Sequence, residues 1–421
     1  MVREMKDSGV EWIGKIPANW SLKRLQWCLK EIIEKNEPIK TTRVLSLTNR
    51  QGVLPYEDKG LQGNKAKENI AEYKLAYENT LIVNSMNVII GSVGISHYFG
   101  CVSPVYYVFR ETEESDLRFV NYVFNTVGFQ KECRKYAKGI LEIRLRISSS
   151  DLFKRPIALP PLAEQIRIAD YLDFKCAKID RILGKAHTSI EEYKNLKQAI
   201  ITWAVTKGIR GDRPMKNSGI IWLGDVPESW NISKIKHTIF PHEKPVLPTD
   251  EVITCFRDGT VTLRKNKREE GYTISFTEKG YQGVDIGDLV IHGMDTFAGA
   301  IGCSDCRGKT SPVVHVCATS GNNRYFMYFL RYMAFSNVLM DFSNGVRIRS
   351  SDFRNYDKLA VFEVLVPPLD EQDEIVDYLD DYIVKIEQMI AKKEKLIKEI
   401  EAYKKSLIYE YVTGKKEVSR E

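Results

Sequence analysis

The side chains that could perform chemistry are few, and they form no complete catalytic or metal-binding motif. Residues of the types that bind zinc occur close together at Cys303, Cys306, His315 and Cys317. Structural zinc sites usually draw on two separated pairs of ligands. The corresponding part of the first half keeps only Cys101. We therefore interpret the cysteines as free thiols and expect no bound metal.

A second segment has the composition of a phosphate-binding loop. Residues 302–310 contain two glycines followed by Lys309 and Thr310. The gap between the glycines is one residue too long for that motif, and the segment lies in a strand-rich region. The segment therefore predicts a surface turn, and no cofactor is expected.

Two proline pairs, at 160–161 and 367–368, resemble the Asn-Pro-Pro-aromatic loop of adenine methyltransferases. The residue before each pair is Leu159 or Val366, and a leucine follows, so the groups that would hold a flipped adenine are absent. No Ser/His/Asp, Cys/His or paired-carboxylate group recurs in both halves of the sequence, and no glycine-rich cofactor loop follows a predicted strand. The sequence thus predicts a chain without catalytic activity.

The sequence segments around these residues occur twice in the chain. A segment with two tryptophans at 7–20 recurs at 217–230, and a Pro-Pro-Leu-x-Glu-Gln segment at 160–165 recurs at 367–372. A period of about 210 residues indicates a duplicated domain, because solenoid and propeller repeats are far shorter. Between these ends the copies differ widely. A Gly-x-x-Gly pattern that recurs in both nevertheless predicts that they share a fold.

The middle of each copy predicts a mixed α/β (α+β) fold. Strand-like segments occur at 44–48, 81–83, 105–109 and 289–291, and helical periodicity at 117–136 and 325–341. Short strands mixed with helices favour this fold class.

Each copy closes with a long predicted helix. The proline pairs end the preceding strands, and Gly208 and Gly414 end the helices. Apolar residues recur at alternating steps of three and four, which is typical of a coiled-coil seam. The seam residues are Leu172, Ile179, Leu183 and Ile190 in the first helix and Leu379, Ile386, Ile390 and Ile397 in the second. Because each helix alone would expose its apolar stripe to water, we expect the two helices to pair.

Composition favours a soluble cytoplasmic protein. The 421 residues are 43% hydrophobic and 28% charged, no apolar run approaches the roughly 18 residues that span a bilayer, and the scattered cysteines indicate a reducing compartment. The net charge of +6 favours a polyanionic partner only weakly, because 62 basic residues face 56 acidic ones.

The doubled Gly-x-x-Trp-Ile/Leu-Gly-x-Ile/Val-Pro-x-x-Trp opening and the doubled Pro-Pro-Leu-x-Glu-Gln segment resemble the specificity subunit of Type I restriction–modification systems. The Gly-x-x-Gly turns and the Ser-Ser-Asp segments at 149–151 and 350–352 add to this resemblance, which runs nearly end to end. It implies target recognition domains at 1–158 and 211–365, related by pseudo-twofold symmetry. The spacer helices at 159–210 and 366–421 would then pair as an antiparallel coiled coil.

The resemblance also implies a function. Each domain would read one half of a bipartite double-stranded DNA target, and the subunit would have no catalytic activity and no cofactor. Its partners would be two methyltransferase (modification) subunits and two motor–nuclease (restriction) subunits, with no membrane involved. Two alternatives stay open: a self-sufficient DNA methyltransferase or nuclease with a doubled recognition region, and a coiled-coil scaffold that does not contact DNA.

Contacts to DNA would come from basic or amide side chains on the loops that differ between the copies. The candidates in the first domain are Arg43, Asn49, Arg50, Gln62, Asn84, Asn87, Arg144 and Arg146. Those in the second are Arg257, Arg264, Lys265, Lys267, Arg268, Gln282, His292, Arg347 and Arg349.

Three features of these candidates are open to more than one interpretation. The polar loops at 84–87 and 292–295 suit contacts to base edges and almost equally suit structural turns. The alternating arginines at 144/146 and 347/349 recur at equivalent places and suit phosphate or guanine contacts, with salt bridges to nearby carboxylates as the alternative. The basic run at 264–268 suits phosphate contacts and equally suits a solvated hairpin tip.

Overall fold

The structure, a computed structural model, describes residues 3–48, 52–59, 69–139, 145–267, 278–341 and 353–418. It divides into two compact units, the first comprising residues 1–186 and 394–421 and the second residues 187–393. Both long helices cross this division. Each unit therefore contains the first part of one long helix and the last part of the other.

The first unit is built on twelve short strands in its described residues. They are β1 (Met5–Asp7), β2 (Lys15–Pro17), β3 (Ser21–Arg24), β4 (Leu29–Glu31), β5 (Leu45–Thr48), β6 (Gly52–Pro55), β7 (Lys74–Ala76), β8 (Leu81–Asn84), β9 (Val93–Ile95), β10 (Gly100–Val102), β11 (Tyr106–Glu111) and β12 (Pro156–Leu159). A four-stranded antiparallel sheet has the order β4-β11-β8-β9, and the other strands pair as β1-β2, β3-β12, β5-β6 and β7-β10. The helices are α1 (Leu117–Phe124), α2 (Val127–Arg134), α3 (Ser149–Phe153) and the long α4 (Leu162–Lys207).

The second unit repeats this arrangement strand for strand. Its strands are β13 (Met215–Asn217), β14 (Asp225–Pro227), β15 (Asn231–Lys234), β16 (Ile239–Pro241), β17 (Ile253–Cys255), β18 (Val261–Leu263), β19 (Gln282–Val284), β20 (Leu289–His292), β21 (Ile301–Cys303), β22 (Gly308–Thr310), β23 (Val314–Thr319) and β24 (Glu363–Val366). The order β16-β23-β20-β21 and the pairs β13-β14, β15-β24, β17-β18 and β19-β22 match those of the first unit. The helices are α5 (Asn323–Phe335), α6 (Val338–Asp341), α7 (Tyr356–Ala360) and the long α8 (Leu369–Val412). The predicted mixed α/β fold is confirmed.

The predicted helical periodicity at 117–136 is divided between α1 and α2. Asp116 caps α1 by accepting hydrogen bonds from the backbone N–H groups of Arg118 and Phe119. Thr126 then caps a new helix by accepting from the N–H of Phe129, so the chain bends instead of continuing. In the second unit the break between α5 and α6 contains Asn337, which has a φ of 60°.

The main core of each unit forms around a buried tryptophan. Trp20 is 1% exposed and packs with Phe119 and Phe124, whereas Trp230 is fully buried and packs with Tyr325 and other aromatic residues of α5. Large aromatic side chains contribute much of the apolar area that such cores bury. Smaller apolar clusters lie under the β5-β6 and β17-β18 hairpins.

The two long helices run antiparallel within each unit. In the first unit the rings of Tyr171 and Tyr411 lie 4.6 Å apart, and Lys404 Nζ lies 2.6 Å from Asp180 Oδ1. Residues later in α4 therefore contact residues earlier in α8. In the second unit the rings of Trp203 and Tyr378 lie 6.4 Å apart and Lys197 pairs with Glu387 at 2.6 Å.

The predicted seam lies on the buried side of both helices. Leu183 and Ile390 are half-buried, and the other six seam residues are buried: Leu172, Ile179, Ile190, Leu379, Ile386 and Ile397. Both helices begin directly after the proline pairs. The first ends directly before Gly208 and the second two residues before Gly414, and the φ angles of these glycines, 75° and 71°, suit the left-handed conformation that follows many helices. None of the described helices is both long enough and apolar enough to cross a lipid bilayer.

Candidate nucleic-acid interface

In each unit one buried carboxylate holds the opening segment against the start of a long helix. Trp20 Nε1 donates to Glu164 Oε2 at 3.0 Å, and Arg3 Nη2 donates to Oε1 of the same carboxylate at 2.7 Å. The arginine also lies over the indole, with its Cζ 5.4 Å from the ring centroid. The second unit has the same arrangement, formed by Arg213, Trp230 and Glu371.

These contacts explain why the tryptophan and the glutamate recur in the sequence. Glu164 and Glu371 are 8% and 1% exposed, and a buried carboxylate is tolerated only when it is paired and hydrogen-bonded. The arginines could not be recognised from the repeat alone, because they precede its first matching residue. A signal was available, since Arg3 and Arg213 each lie four residues before it.

The recurring Gly-x-x-Gly pattern is a turn that lies against a hairpin tip. The first glycine has a positive φ, 82° in one unit and 83° in the other. At the second glycine a side chain has little or no room: a Cβ on Gly94 would make a tight contact of 3.3 Å with Gly52 Cα, and one on Gly302 would clash with Gly259 O at 2.0 Å. The pattern therefore brings the β5-β6 and β17-β18 hairpins close to the ends of β8 and β20.

A third segment reaches the same place in each unit. Ile147, which follows the first arginine pair, donates its N–H to Ser85 O at 3.2 Å in the loop after β8. Phe353, which follows the second pair, donates to Gly293 O at 3.1 Å in the loop after β20. The hairpin tip, the loop and the segment after the arginines thus converge in each unit. Variable loops that converge on a constant scaffold are typical of recognition surfaces.

The candidates of the first unit have different surroundings. Arg43 is exposed and its guanidinium lies 4.6 Å from the centroid of the Tyr98 ring. Asn84 is buried and its Oδ1 accepts the N–H of Met86 at 3.1 Å, so this side chain supports its own turn. Asn87 is half-buried, and Arg146 is exposed. Asn49, Arg50, Gln62 and Arg144 lie outside the described residues.

The basic run of the second unit is paired within its own hairpin. Arg264 Nε donates to Thr254 Oγ1 at 3.1 Å, and Lys265 Nζ donates to Glu251 Oε1 at 2.8 Å. Lys267 pairs with Asp258 and lies over the Phe256 ring. Lys265 is nevertheless 63% exposed, so its pairing is weak and compatible with a phosphate contact.

Two further candidates of the second unit, Arg257 and Gln282, lie near the end of β20. Arg257 Nη2 donates to Asp295 Oδ1 at 2.8 Å, which joins the hairpin tip to the loop after β20. Gln282 Nε2 donates to Val314 O at 2.8 Å. Arg268, Arg347 and Arg349 lie outside the described residues. For all candidates, contact with DNA stays a prediction.

His292 ends β20 and supports the loop through its ring. Its Nδ1 accepts the N–H groups of Met294 and Asp295 at 3.3 and 3.2 Å. Burial lowers the pKa of His292, and Arg257 and His315 lower it further while Asp295 opposes them. The ring is therefore neutral at pH 7, which keeps Nδ1 available as an acceptor.

Arg331 lies on α5 and supports the Gly-x-x-Gly turn of the second unit. Its position within an apolar helix gave no sequence signal for this role. Arg331 is 7% exposed, and its Nη1 donates to Gly299 O at 2.9 Å and to Ile301 O at 3.3 Å. Burial lowers the pKa of this guanidinium. A buried cation that binds two carbonyls of the turn fixes the turn against the helix.

The cysteines are free thiols in the structure. Cys303 and Cys306 are half-buried, and burial raises the pKa of Cys303 to about 12, which keeps it protonated. His315 Nε2 lies 2.7 Å from Phe353 O. Among the residues that the structure describes, no group of three or more histidine, cysteine, aspartate or glutamate side chains is placed to hold a metal ion.

Comparison with known proteins identifies relatives along the whole chain. The putative Type I restriction enzyme MjaX specificity subunit of Methanocaldococcus jannaschii is 23% identical over 428 aligned residues, covering 96% of this chain and 95% of the relative. The Type I restriction enzyme MjaVIII specificity subunit of the same organism is 32% identical over 83 residues, or 20% of this chain and 18% of that protein. The resemblance to Type I specificity subunits is confirmed.

A solved structure shares the fold of the chain. The structure was solved to explain the complex assembly and conformational transition of the type I R-M system. Its alignment with this protein covers 94% of this chain and 98% of the solved chain, with a TM-score of 0.68. Its sequence identity of 14% shows the fold alone. No protein-family model matches the chain.

Proposed function

We propose that the chain is the non-catalytic DNA-specificity subunit of a Type I restriction–modification complex. Each unit reads one half of a bipartite double-stranded target through the loops that converge near the end of β8 or β20. Two methyltransferase subunits dock on the chain to form an adenine-modifying enzyme, and two motor–nuclease subunits complete the restriction complex. The proposed recognition domains are 1–158 and 211–365, and the proposed spacers are 159–210 and 366–421.

The proposal rests on one observation. The same frame, meaning the strand order and the buried contacts around each tryptophan, occurs in both units, but the loops that it positions differ in sequence. Both units have the same strand order and the same carboxylate-centred contacts, whereas the converging loops have different sequences. Two half-sites on a duplex require two reading domains at a fixed separation. The helices of 46 and 44 residues supply long connections, about 65–70 Å each at about 1.5 Å per residue.

Methylation mapping tests the proposal. The chain is expressed with its methyltransferase subunits, and methylated adenines are mapped on a plasmid library of random sequence. We expect one bipartite motif with a spacer of constant length. The purified chain alone, supplied with the methyl donor, is expected to transfer no methyl groups. Methylation by the chain alone would favour a self-sufficient methyltransferase, whereas steeply salt-dependent DNA binding by the complex would argue against a scaffold that does not contact DNA.

One double variant tests whether the second unit reads one half of the motif. Arg347→Ala with Arg349→Ala is expected to relax base preference in one half and leave the other half intact. Each lost bidentate contact reduces discrimination by about tenfold. The control is Arg181→Ala, an exposed arginine on α4. Equal relaxation of both halves would contradict the assignment of one half-site to each unit.

A further inference from the structure

The residue after each buried glutamate ties the start of a long helix to the recognition part of its own unit. In the first unit Gln165 is fully buried. Its Oε1 accepts the N–H of Asp116 at 2.9 Å, and its Nε2 donates to the carbonyls of Glu114 and Pro160, each at 2.9 Å. One amide therefore joins the proline turn before α4 to the turn before α1.

The second unit has the same joint. Gln372 is 3% exposed, its Oε1 accepts the N–H of Asn322 at 2.9 Å, and its Nε2 donates to Pro367 O at 2.9 Å. The two loops that lead into α1 and α5 differ in sequence, yet both present a backbone N–H to the glutamine. The joint is therefore a property of the frame and not of the variable loops.

The residues that the glutamines bind are the caps of the helices that follow. Asp116 Oδ1 accepts the N–H groups of Arg118 and Phe119, and Asn322 Oδ1 accepts those of Arg324 and Tyr325. A rotation of α1 or α5 relative to its long helix would break the bond to the glutamine. The preceding glutamate holds the opening segment. One Glu-Gln pair therefore connects the start of each long helix to two other elements, the opening segment and the helix α1 or α5.

Other contacts across the same joint are more exposed. Tyr122 donates its hydroxyl to Asp173 Oδ1 at 2.7 Å, and Arg118 pairs with Asp170, which is 61% exposed, at 2.7 Å. In the second unit the buried Tyr328 donates to Asp380 Oδ1 at 2.6 Å, and the Asp380 side chain is 34% exposed. Exposed pairs contribute little to rigidity, whereas a buried amide with its partners satisfied resists displacement.

We propose that Gln165 and Gln372 are positioning residues that determine how strictly the complex measures the spacer between its two half-sites. This inference rests on the proposed function. Neighbouring base pairs lie about 3.4 Å apart along the duplex. Each added or removed base pair also turns the half-site by roughly 35° about the duplex axis, since one turn holds about 10–10.5 base pairs. A recognition domain that can both shift and rotate about the start of its helix would accept a spacer one base pair longer or shorter. Neither glutamine lies on the candidate reading loops, so the bases of each half-site would be read as before.

The test measures methylation by the assembled complex on duplexes with unchanged half-sites. The spacer has its native length or is one base pair longer or shorter. For Gln165→Ala with Gln372→Ala, we expect the ratio of rates on native and altered spacers to fall by about tenfold, the effect of losing a buried hydrogen bond at each joint. The matched control, Gln198→Ala with Gln388→Ala, removes exposed glutamines from the same two helices and is expected to keep the native ratio.

Hydrogen exchange reports on the joint directly. The amides of Asp116 and Asn322 are expected to exchange faster in the alanine variant and to keep their protection in the control. The variant Gln165→Met with Gln372→Met keeps side-chain length and fills the buried site without a charge, but it loses both the Oε1 acceptors and the Nε2 donors. It provides the decisive measurement if the alanine variant does not fold, and it is expected to relax the spacer in the same direction.

Two outcomes separate the inference from the proposed function. Folded glutamine variants that keep the native rate ratio, or that lose rate equally on all spacers, would overturn the positioning role. A wild-type complex that methylates without regard to spacer length would overturn the proposed function itself.

Discussion

The two units share their contacts but not their charge. The carboxylate–tryptophan–arginine arrangement, the glutamine joint and the Gly-x-x-Gly turn occur in both. The first unit nevertheless contains 36 basic and 28 acidic residues, against 26 and 28 in the second. Buried contacts that set geometry have been kept after duplication, whereas exposed charges have diverged.

Most of this difference lies at the start of the long helices. Residues 162–186 contain four acidic and five basic side chains, whereas residues 369–393 contain eight acidic and three basic ones. The hairpins differ as well: Arg43 lies on the Tyr98 ring in the first unit, while Lys265 and Lys267 pair with carboxylates in the second. We therefore expect the first unit to attract a polyanion more strongly than the second.

The largest expected effect tests whether the shared frame stabilises both units equally. Glu371→Ala should destabilise the second unit by about 3–5 kcal/mol, because it removes the shared acceptor of the half-buried Arg213 and the buried Trp230 Nε1. Glu164→Ala should cost the first unit less. The side chains of Arg3 and Glu164 are 20% and 11% exposed, against 16% and 1% for Arg213 and Glu371.

Native-state hydrogen exchange measures the two units separately. Glu192→Ala, which removes an exposed carboxylate from α4, is the control and should change neither unit. Equal and small losses in both glutamate variants would show that the buried carboxylate is not what holds the frame.

A smaller effect should separate the two Gly-x-x-Gly turns. Gly302→Ala places a Cβ 2.0 Å from a backbone oxygen and should cost roughly 3 kcal/mol, whereas Gly94→Ala places one 3.3 Å from Gly52 Cα and should cost less than about 1 kcal/mol. Thermal unfolding of each variant measures this. Gly211→Ala, whose Cβ would have no atom within 4 Å, provides the baseline. A Gly94 variant as unstable as the Gly302 variant would mean that the hairpin cannot shift in either unit.

The smallest effect is expected at the residue that ends the equivalent strands β8 and β20. Asn84 and His292 each accept the N–H two residues ahead, but only the histidine titrates near neutrality. Burial lowers the pKa of His292 in the folded chain, so the unfolded chain takes up the proton at a higher pH. Its stabilising contribution is present above the unfolded pKa of about 6.5 and is lost as the pH falls below it.

His292→Asn should therefore reduce the loss of stability of the second unit between pH 7 and pH 5. Asn84→His is the reciprocal variant and should introduce such a loss in the first unit. Denaturant unfolding at both pH values would show it. Identical pH dependence in the wild type and His292→Asn would mean that His292 contributes nothing to acid sensitivity.

The sequence was sufficient to predict the elements that depend on local pattern. The long helices follow from apolar spacing and from the proline pairs and glycines that bound them, and β5, β8, β11 and β20 follow from short apolar runs. The division of the 117–136 segment at Thr126 was missed, because a capping threonine inside an amphipathic pattern is a weak signal. The candidate DNA contacts were chosen by residue type, and the structure engages Asn84, Gln282 and His292 in hydrogen bonds within their own unit.

The sequence alone determined that the chain contains two copies of one domain, with matching end segments and different middle segments. Repeats and helical periodicity can be recognised from the order of residues along the chain. Only the tertiary structure decided what the repeated residues do. Trp20, Glu164 and Gln165 meet partners that are distant in sequence, and burial then makes their hydrogen bonds necessary. A carboxylate or an amide has no fixed role until folding removes water from it and leaves one partner within reach.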